Sequence, residues 1–157
     1  MISAELYRII SIGEIAMDKN KAVFEWIKQC PVFERLFFNF GTSEENTSTF
    51  IPIPTESTVK TDIFGNETKH YDFAVSTFGA IDDITFEGNE NIAVMNLMQQ
   101  LTEWIKLQNR EKNFPDFGAK CFIEKISVNQ NIPASLRMQN ISKYLSQYRI
   151  LYEERTD

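Results

Sequence analysis

A stripe of apolar side chains in residues 89–109 is the feature that most constrains the fold of this chain. Its members recur at helical spacing, opposite a polar face, over an arc roughly 120° wide: Val94, Leu97, Met98, Leu101, Trp104 and Ile105. Asn89 or Asn91 can cap the start of such a helix, and Pro115 lies just beyond its end. A stripe of this kind faces a core, so the sequence predicts a helix that lies across one face of a sheet.

Two further sets of apolar residues at helical spacing occupy the first thirty residues. The first set begins after Ser3, a suitable N-cap, and comprises Leu6, Ile9, Ile10, Gly13, Ala16 and Met17. The second set follows a polar segment and comprises Val23, Trp26, Ile27 and Cys30. Pro31 ends it, because proline lacks the N–H that a helix interior requires. This pattern predicts N-terminal helices.

Three segments have the composition of β-strands. Residues 35–40 are short and aromatic, and residues 120–128 and 142–154 follow the long helix. In the last segment, alternation places one set of side chains on one face and Leu145 and Leu151 on the other. The first set comprises Tyr144, Tyr148, Ile150 and Tyr152. This segment exceeds the usual strand length, so we expect a sheet that extends beyond a minimal core.

Residues 42–61 are rich in Ser, Thr and Pro, and their motif FIPIP alternates apolar residues with proline. Proline removes ladder donors, so we expect an edge strand, an extended arm or a flexible loop here rather than a central strand. Together the segments predict a single α+β domain over residues 1–157. Its mixed, mainly antiparallel β-sheet has a long β-hairpin and packs against the amphipathic helix and the N-terminal helices. Residues 42–69 are expected to form an extended arm and hairpin.

The net charge of −6 and the pI of about 4.9 limit the classes of ligand. A domain that binds duplex DNA usually has a basic footprint, so we expect no sequence-specific nucleic-acid binding. No apolar run approaches the roughly 20 residues of a membrane span, and the start of the chain lacks the pattern of an export signal. Cys30 and Cys121 lie far apart and outside any metal-binding motif, so we expect two reduced thiols in a cytosolic protein.

The segment DIFGNETKHYDFAV, residues 62–75, contains the only histidine of the chain and two aspartates. If its GNE forms the loop of a hairpin, Asp62 lies opposite His70 and Lys60 lies opposite Asp72 on one face. The other face then carries apolar pairs, which is the pattern of a half-exposed hairpin. This register gives the polar residues a structural role as cross-strand partners.

The alternative role for these residues is catalytic. His70 as a general base oriented by Asp62, together with Asp72, would make the chain a small hydrolase. A hairpin end away from the core offers no obvious nucleophile or substrate pocket, and the sequence lacks the common phosphate-loop, dinucleotide and serine-hydrolase motifs. One histidine cannot build a histidine-based zinc site. We therefore expect no catalytic, metal-binding or cofactor-binding residues, and a role in binding or assembly.

The order of these features resembles the minor capsid proteins of the tail-terminator, or tail-completion, type found in tailed bacteriophages and prophages. The strand after the turn carries the strongest match, in Lys69, Tyr71, Asp72 and Phe73. The segment LMQQLTEWIKLQN, followed by Pro115, and the closing strand YLSQYRILYEE also match. The resemblance spans most of the chain. The segment 42–61 departs from the family pattern, as does the turn, where many relatives have Asp-Gly.

The resemblance implies a structural protein and not an enzyme. Such proteins form a ring, generally a homohexamer, that caps the tail tube, ends its polymerisation and offers a docking surface to the head–tail connector. The implied partners are further copies of the chain, the tail tube protein, the connector protein and, in a contractile tail, the sheath protein. The implied location is the head-proximal end of the virion tail, after synthesis in the bacterial cytoplasm. No cofactor and no membrane are implied.

We expect the contacts of such a ring on the arm, on the hairpin and on an exposed edge of residues 142–154. The residues chosen as contacts are Phe50, Ile51, Ile53, Lys60, Asp62, Phe64, Asn66, Lys69, Tyr148 and Tyr152. Long strands and edge-like segments favour the addition of strands between subunits. A small cytosolic adaptor domain that binds one protein partner is the alternative from another class.

Overall fold

The computed structural model of the protein describes residues 19–33, 35–39, 47–54, 58–80, 89–138 and 141–156. Within them, helix α1 covers residues 19–27 and helix α2 covers Asn89–Glu111. The strands are β1 (Arg35–Phe38), β2 (Thr47–Ile53), β3 (Thr58–Thr61), β4 (Glu67–Ala80), β5 (Cys121–Met138) and β6 (Ile141–Glu154). This α+β architecture, with a mixed and mostly antiparallel sheet, confirms the predicted fold class.

The six described strands form one sheet in the order β1-β2-β4-β6-β5. Strand β3 pairs with the start of β4, on the side that β2 occupies further along. The pair β1–β2 is parallel, and the other described pairs are antiparallel. Strands β4 and β6 pair along their whole length, from Glu67 opposite Glu154 to Ala80 opposite Ile141. This ladder lies at the centre of the sheet. On their other sides, β4 pairs with β2 and β3, and β6 pairs with β5.

The two helices cover one face of the sheet and enclose the core with it. The buried core residues are Val23, Trp26, Ile27, Cys30, Phe50, Phe73, Val75, Leu101, Ile105, Ile126, Tyr148 and Ile150. Leu101, Trp104 and Ile105 of the α2 stripe face this core as predicted, and so does the apolar set of α1. Leu97 and Met98 of the stripe pack with Tyr144 in a second cluster. The rings of Trp26 and Trp104 lie 4.9 Å apart and join the two helices. The first predicted helix, with apolar residues from Leu6 to Met17, lies outside the described residues.

Hydrogen bonds from two side chains fix the helices in place. Asn109 Nδ2 donates to the carbonyl of Ile126 at 2.6 Å, and Asn109 Oδ1 accepts from the N–H of the same residue at 2.8 Å. The amide therefore satisfies both backbone groups of a β5 residue, as a neighbouring strand does. Trp26 Nε1 donates to the carbonyl of Asn113 at 2.8 Å, which ties α1 to the segment after α2.

Strand β2 is more central than the sequence indicates. Residues 47–50 pair with β1 on one side, and residues 48–53 pair with β4 on the other. The prediction that residues 42–61 contain no central strand is therefore wrong for residues 48–50, which pair on both sides. The argument from proline still holds locally. Pro52 lies beyond the last partner in β1, where only one side of β2 has a described neighbour.

Strand β6 is internal, which corrects the prediction of an exposed edge over residues 142–154. Strands β4 and β5 flank it on its two sides. Its predicted alternation is confirmed, because Tyr144, Tyr148, Ile150 and Tyr152 are all buried. The edge of the described sheet is instead β5, which runs for 18 residues.

The β3–β4 hairpin has a different register from the predicted one. Lys60 lies opposite Thr68, four residues nearer the loop than its predicted partner Asp72. The predicted pairs Lys60–Asp72 and Asp62–His70 are therefore wrong. Strand β4 is long enough for β3 to pair near its start while β2 pairs further along the same side.

Leu101→Ala will lower the free energy of unfolding by about 2–5 kcal/mol, because the fully buried side chain leaves a cavity under α2. Leu107→Ala is the matched control on the same helix. Leu107 is 39% exposed, so its loss will cost less than about 1 kcal/mol. Urea unfolding followed by circular dichroism measures both changes. Equal losses would contradict the placement of the α2 stripe against the sheet.

Candidate interaction surface

Two large apolar side chains project from the loop that joins β3 to β4. Ile63 is 94% exposed and Phe64 is 76% exposed, and Val59 on the adjoining strand is 62% exposed. Contiguous exposed apolar side chains mark sites of contact with other molecules more often than scattered ones do. We call Ile63 and Phe64 the apolar tip.

The loop that carries the apolar tip is closed by hydrogen bonds from within. Asp62 Oδ1 accepts from the N–H groups of Phe64 and Asn66, each at 2.9 Å, and Asp62 Oδ2 accepts from Asn66 Nδ2 at 3.1 Å. The N–H of Asp62 donates to the carbonyl of Asn66 at 2.9 Å. Gly65 has a φ of 85°, a conformation that glycine adopts without strain. These bonds hold the backbone of the loop in the conformation that exposes Ile63 and Phe64.

The carboxylate of Asp62 is stabilised in its ionised form by the hydrogen bonds of this loop. Desolvation acts to raise the pKa of Asp62, but the hydrogen bonds from Asn66, Phe64 and Gly65 outweigh it and hold the pKa below its ordinary value of 3.8. The carboxylate is therefore ionised at neutral pH and engaged by the loop. It acts as an Asx-type loop closure, a common role of aspartate in turns.

The segment after β6 supports the loop from the side of the sheet. The N–H of Thr156 donates to Asn66 Oδ1 at 3.2 Å, and Thr156 Oγ1 donates to the carbonyl of Phe64 at 3.4 Å. The preceding residue, Arg155, donates its N–H to the carbonyl of Lys120 at 2.9 Å. Thr156 therefore supports the loop on the side of the sheet, and the side chains of Ile63 and Phe64 project into solvent on the other side.

A charged cluster lies at the base of the hairpin. Lys69 Nζ lies 2.5 Å from Glu154 Oε2 and 3.1 Å from Glu67 Oε2. The hydrogen bond to Glu154 raises the pKa of Lys69, and the same bond lowers the pKa of Glu154. The Lys69–Glu154 pair joins β4 to β6 at this end of the sheet, and the Lys69–Glu67 pair lies within β4.

The hypothesis of a catalytic site needs Asp62, His70 and Asp72 to act together. Arg149 donates from Nε to Asp72 Oδ1 at 2.9 Å and from Nη2 to Asp72 Oδ2 at 3.1 Å, a bidentate bond that raises the pKa of Arg149. His70 Nδ1 lies 3.3 Å from Asp72 Oδ1 and forms no hydrogen bond within the described residues. The structure therefore brings His70 beside Asp72, but it commits Asp72 to Arg149 and Asp62 to the loop.

The residues predicted as contacts fall into three groups. Lys60, Asp62 and Phe64 are exposed, and Ile51, Ile53, Asn66 and Lys69 are partly buried; their role in contacts stays a prediction. Phe50, Tyr148 and Tyr152 are core residues, which corrects their assignment to a contact surface. Alternation in a strand shows which side chains share a face, but not which face the helices cover.

Sequence reasoning does not identify Ile63, although its exposed fraction is the largest among the exposed apolar side chains described. The available signal is its position beside Phe64, directly before the glycine of a loop between two strands. Two consecutive apolar residues in such a loop have no core to enter. Arg149 is missed for another reason, since its partner Asp72 lies 77 residues away in the chain.

A surface pocket of about 510 Å³ lies between α1 and the segment before β5. Its lining residues are Lys19, Lys21, Ala22, Glu25, Asp116, Phe117 and Gly118. The ring of Phe117 packs edge-on against Tyr152, with centroids 5.1 Å apart, and against Tyr71 at 5.8 Å. Lys19 Nζ donates to the hydroxyl of Tyr152 at 3.1 Å. The pocket thus combines an aromatic wall with charged groups of both signs.

The described residues offer neither a metal site nor a membrane-spanning helix. Among the described residues, no group of three or more histidine, cysteine, aspartate or glutamate side chains is arranged to hold a metal ion. Neither described helix is long and apolar enough to cross a membrane. No model of a known protein family matches the chain, and no curated protein matches it.

Glu154→Gln will remove part of the acid dependence of stability. The bond with Lys69 lowers the pKa of Glu154 below its ordinary value of 4.5, so in acid the folded protein binds fewer protons than the unfolded chain. The stabilisation from this carboxylate is therefore complete above about pH 4.5 and is lost as the pH falls through the lowered pKa.

At neutral pH, Glu154→Gln will cost roughly 0.2–1 kcal/mol, because the ion pair is partly exposed and screened by water. Urea unfolding at pH ~7 and at pH ~3 measures both effects. Glu103→Gln is the control, since Glu103 forms an exposed pair with Lys106. A pH dependence in the Glu154 variant as steep as that of the unmodified protein would contradict the role of this pair.

Proposed function

We propose that this protein is a non-enzymatic structural protein that self-associates into a ring at the end of a bacteriophage or prophage tail, as proteins of the tail-terminator type do. The apolar tip carries the proposal. Ile63 and Phe64 are exposed, and hydrogen bonds within the loop hold them in place. A preorganised apolar group docks on a complementary surface at a low entropic cost. The resemblance in sequence supports the identity of the assembly.

The edges of the sheet support docking through side chains instead of strand addition. Strand β1 has four residues and is followed by Asn39, which has a φ of 63°. The part of β2 beyond β1 contains Pro52, and β3 has four residues with an irregular register. Strand β5 changes register at three places along its pairing with β6. Short strands, proline and bulges are the features that prevent edge-to-edge pairing.

In the proposed role the ring caps the tail tube, ends its polymerisation and presents a docking surface to the head–tail connector. The proposed partners are further copies of the chain, the tail tube protein, the connector protein and, in a contractile tail, the sheath protein. The net charge of −6 suits a surface that discriminates between partners by charge complementarity. The proposed location is the head-proximal end of the virion tail.

Light scattering after size exclusion tests this proposal, with the chain alone and with tail tube protein. We expect a species larger than the monomer, and electron microscopy will show shorter tubes when the chain is present, because a capped end cannot accept further subunits. An unrelated protein of similar net charge is the control for non-specific effects on tube growth. A chain that stays monomeric with tube protein and leaves the length of the tubes unchanged contradicts the proposal.

A further inference from the structure

We infer that the side chain of Asn109 closes the free edge of the sheet against the addition of a further strand. Strand β5 forms this edge, since β6 is its only neighbour among the described strands. Unpaired backbone groups along a strand edge are a template on which other chains can pair. The inference concerns the single folded chain, and it goes beyond the proposed function without depending on it.

The backbone groups of Ile126 point away from β6. Ile126 lies opposite Ile150 in an antiparallel pair, where residues alternate between those bonded to the partner strand and those whose N–H and C=O face outward. The N–H of Ile126 donates to Asn109 Oδ1 at 2.8 Å, and its carbonyl accepts from Asn109 Nδ2 at 2.6 Å. Ile126 is therefore an outward-facing residue, and Asn109 occupies the two groups that an added strand would bind.

Asn109 acts on the most regular part of this edge. Residues 125–128 are the longest run of β5 that pairs with β6 without a change of register, and register shifts lie on both sides of the run. A bulge by itself disfavours the pairing of a further strand, so the shifted parts of β5 have a protection that this run lacks. By the same alternation the N–H of Val128 faces outward, which gives the run two outward-facing residues.

The end of α2 holds Asn109 in position. Gln108 is buried, and its side-chain oxygen accepts from Asn113 Nδ2 at 2.6 Å, while its carbonyl accepts from the N–H of Asn113 at 3.0 Å. The bond from Trp26 Nε1 to the carbonyl of Asn113 joins this turn to α1. Asn109 therefore projects from a fixed support, and a strand must break both of its bonds to Ile126 before it can pair there.

The side chains of β5 favour association once the backbone is free. Phe122 is 44% exposed and Val128 is 37% exposed, and exposed apolar side chains make a free strand edge prone to pairing. The net charge of −6 opposes pairing between copies of the chain, but salt screens this repulsion. The amide of Asn109 carries no charge, so its bonds to Ile126 keep the edge closed in salt as well.

Asn109→Ala will raise the mean mass of the chain in solution at least about twofold in about 1 M NaCl, where the Debye length is about 3 Å. Size exclusion with light scattering measures the mass, and the unmodified chain at the same concentration is the reference, whether it is a monomer or the proposed ring. In dilute solution the amide of Ile126 will exchange its hydrogen about fivefold faster or more, because it loses its acceptor.

Thr102→Val is the matched control on the same helix. It removes the hydrogen bond between the hydroxyls of Thr102 and Tyr148, which joins α2 to β6, and it leaves Asn109 in place. The variant will lose stability in urea unfolding and will keep the mass of the unmodified chain in salt. Asn109→Asp keeps the acceptor for the N–H of Ile126 and frees its carbonyl alone, so its mass will rise less than that of Asn109→Ala. It decides the test if Asn109→Ala does not fold.

Val128→Lys in the Asn109→Ala background tests whether the association runs through β5. A further strand would bury the lysine beside it, so this second substitution will restore the mass of the unmodified chain. It also changes the net charge from −6 to about −5, which weakens the repulsion between copies. Suppression of the association is therefore a local effect at the edge and not an effect of total charge.

A folded Asn109→Ala variant that keeps the mass of the unmodified chain in salt overturns the inference. Association that Thr102→Val shows equally, or that Val128→Lys does not suppress, also overturns it, because loss of stability and not an open edge then causes the association. None of these outcomes alters the proposed function, which stands or falls on the capping of tubes by the unmodified chain.

Discussion

A row of aromatic rings across three strands is the interaction on which the rest of the structure depends. Phe50 of β2, Phe73 of β4 and Tyr148 of β6 are fully buried side by side, with ring centroids 5.3 Å apart at each step. Phe24 of α1 extends the row, 5.7 Å from Phe50. Each such pair contributes roughly 0.5–1.5 kcal/mol beyond the burial of its area. The row therefore fixes the register of three strands together with the position of α1, and the hairpin projects from this fixed frame.

In this chain, a periodic pattern within one segment predicts which side chains share a face. The sequence does not predict which strands pair with one another. The stripe of α2 and the alternation of tyrosines in β6 are each contained in a single run of residues. The burial of Leu101 follows from the first, and the shared face of Tyr144 and Tyr148 follows from the second. The order of strands depends on partners that are distant in sequence. Pro52 illustrates the difference: proline indicates a position near an edge, but its propensity cannot show where the neighbouring strand β1 ends.

The hairpin register differs from the predicted one, and Asp62 lies apart from His70 and Asp72 in function, for a related reason. The predicted register maximises exposed cross-strand pairs, each worth a fraction of a kcal/mol. The continuous ladder with β6 positions β4 independently of those pairs, and Asp62 closes the loop through three hydrogen bonds. Asp72 binds Arg149, which local sequence does not reveal. Asp62 and Asp72, which lie close together in the sequence, thus have separate structural roles: Asp62 closes the loop, and Asp72 joins β4 to β6 through Arg149.

Assembly without aggregation requires a surface that binds one partner and rejects others. An open strand edge pairs with many extended chains, because backbone hydrogen bonds carry little sequence information, and the described edges of this sheet are short or irregular. In the proposed assembly, Ile63 and Phe64 place the recognition in side chains, whose shape a wrong partner does not match. Asp62 and Thr156 already order the loop, so docking loses little conformational entropy and two side chains can anchor a contact. The net charge of −6 on each copy opposes loose association between copies, so a specific contact must overcome this repulsion.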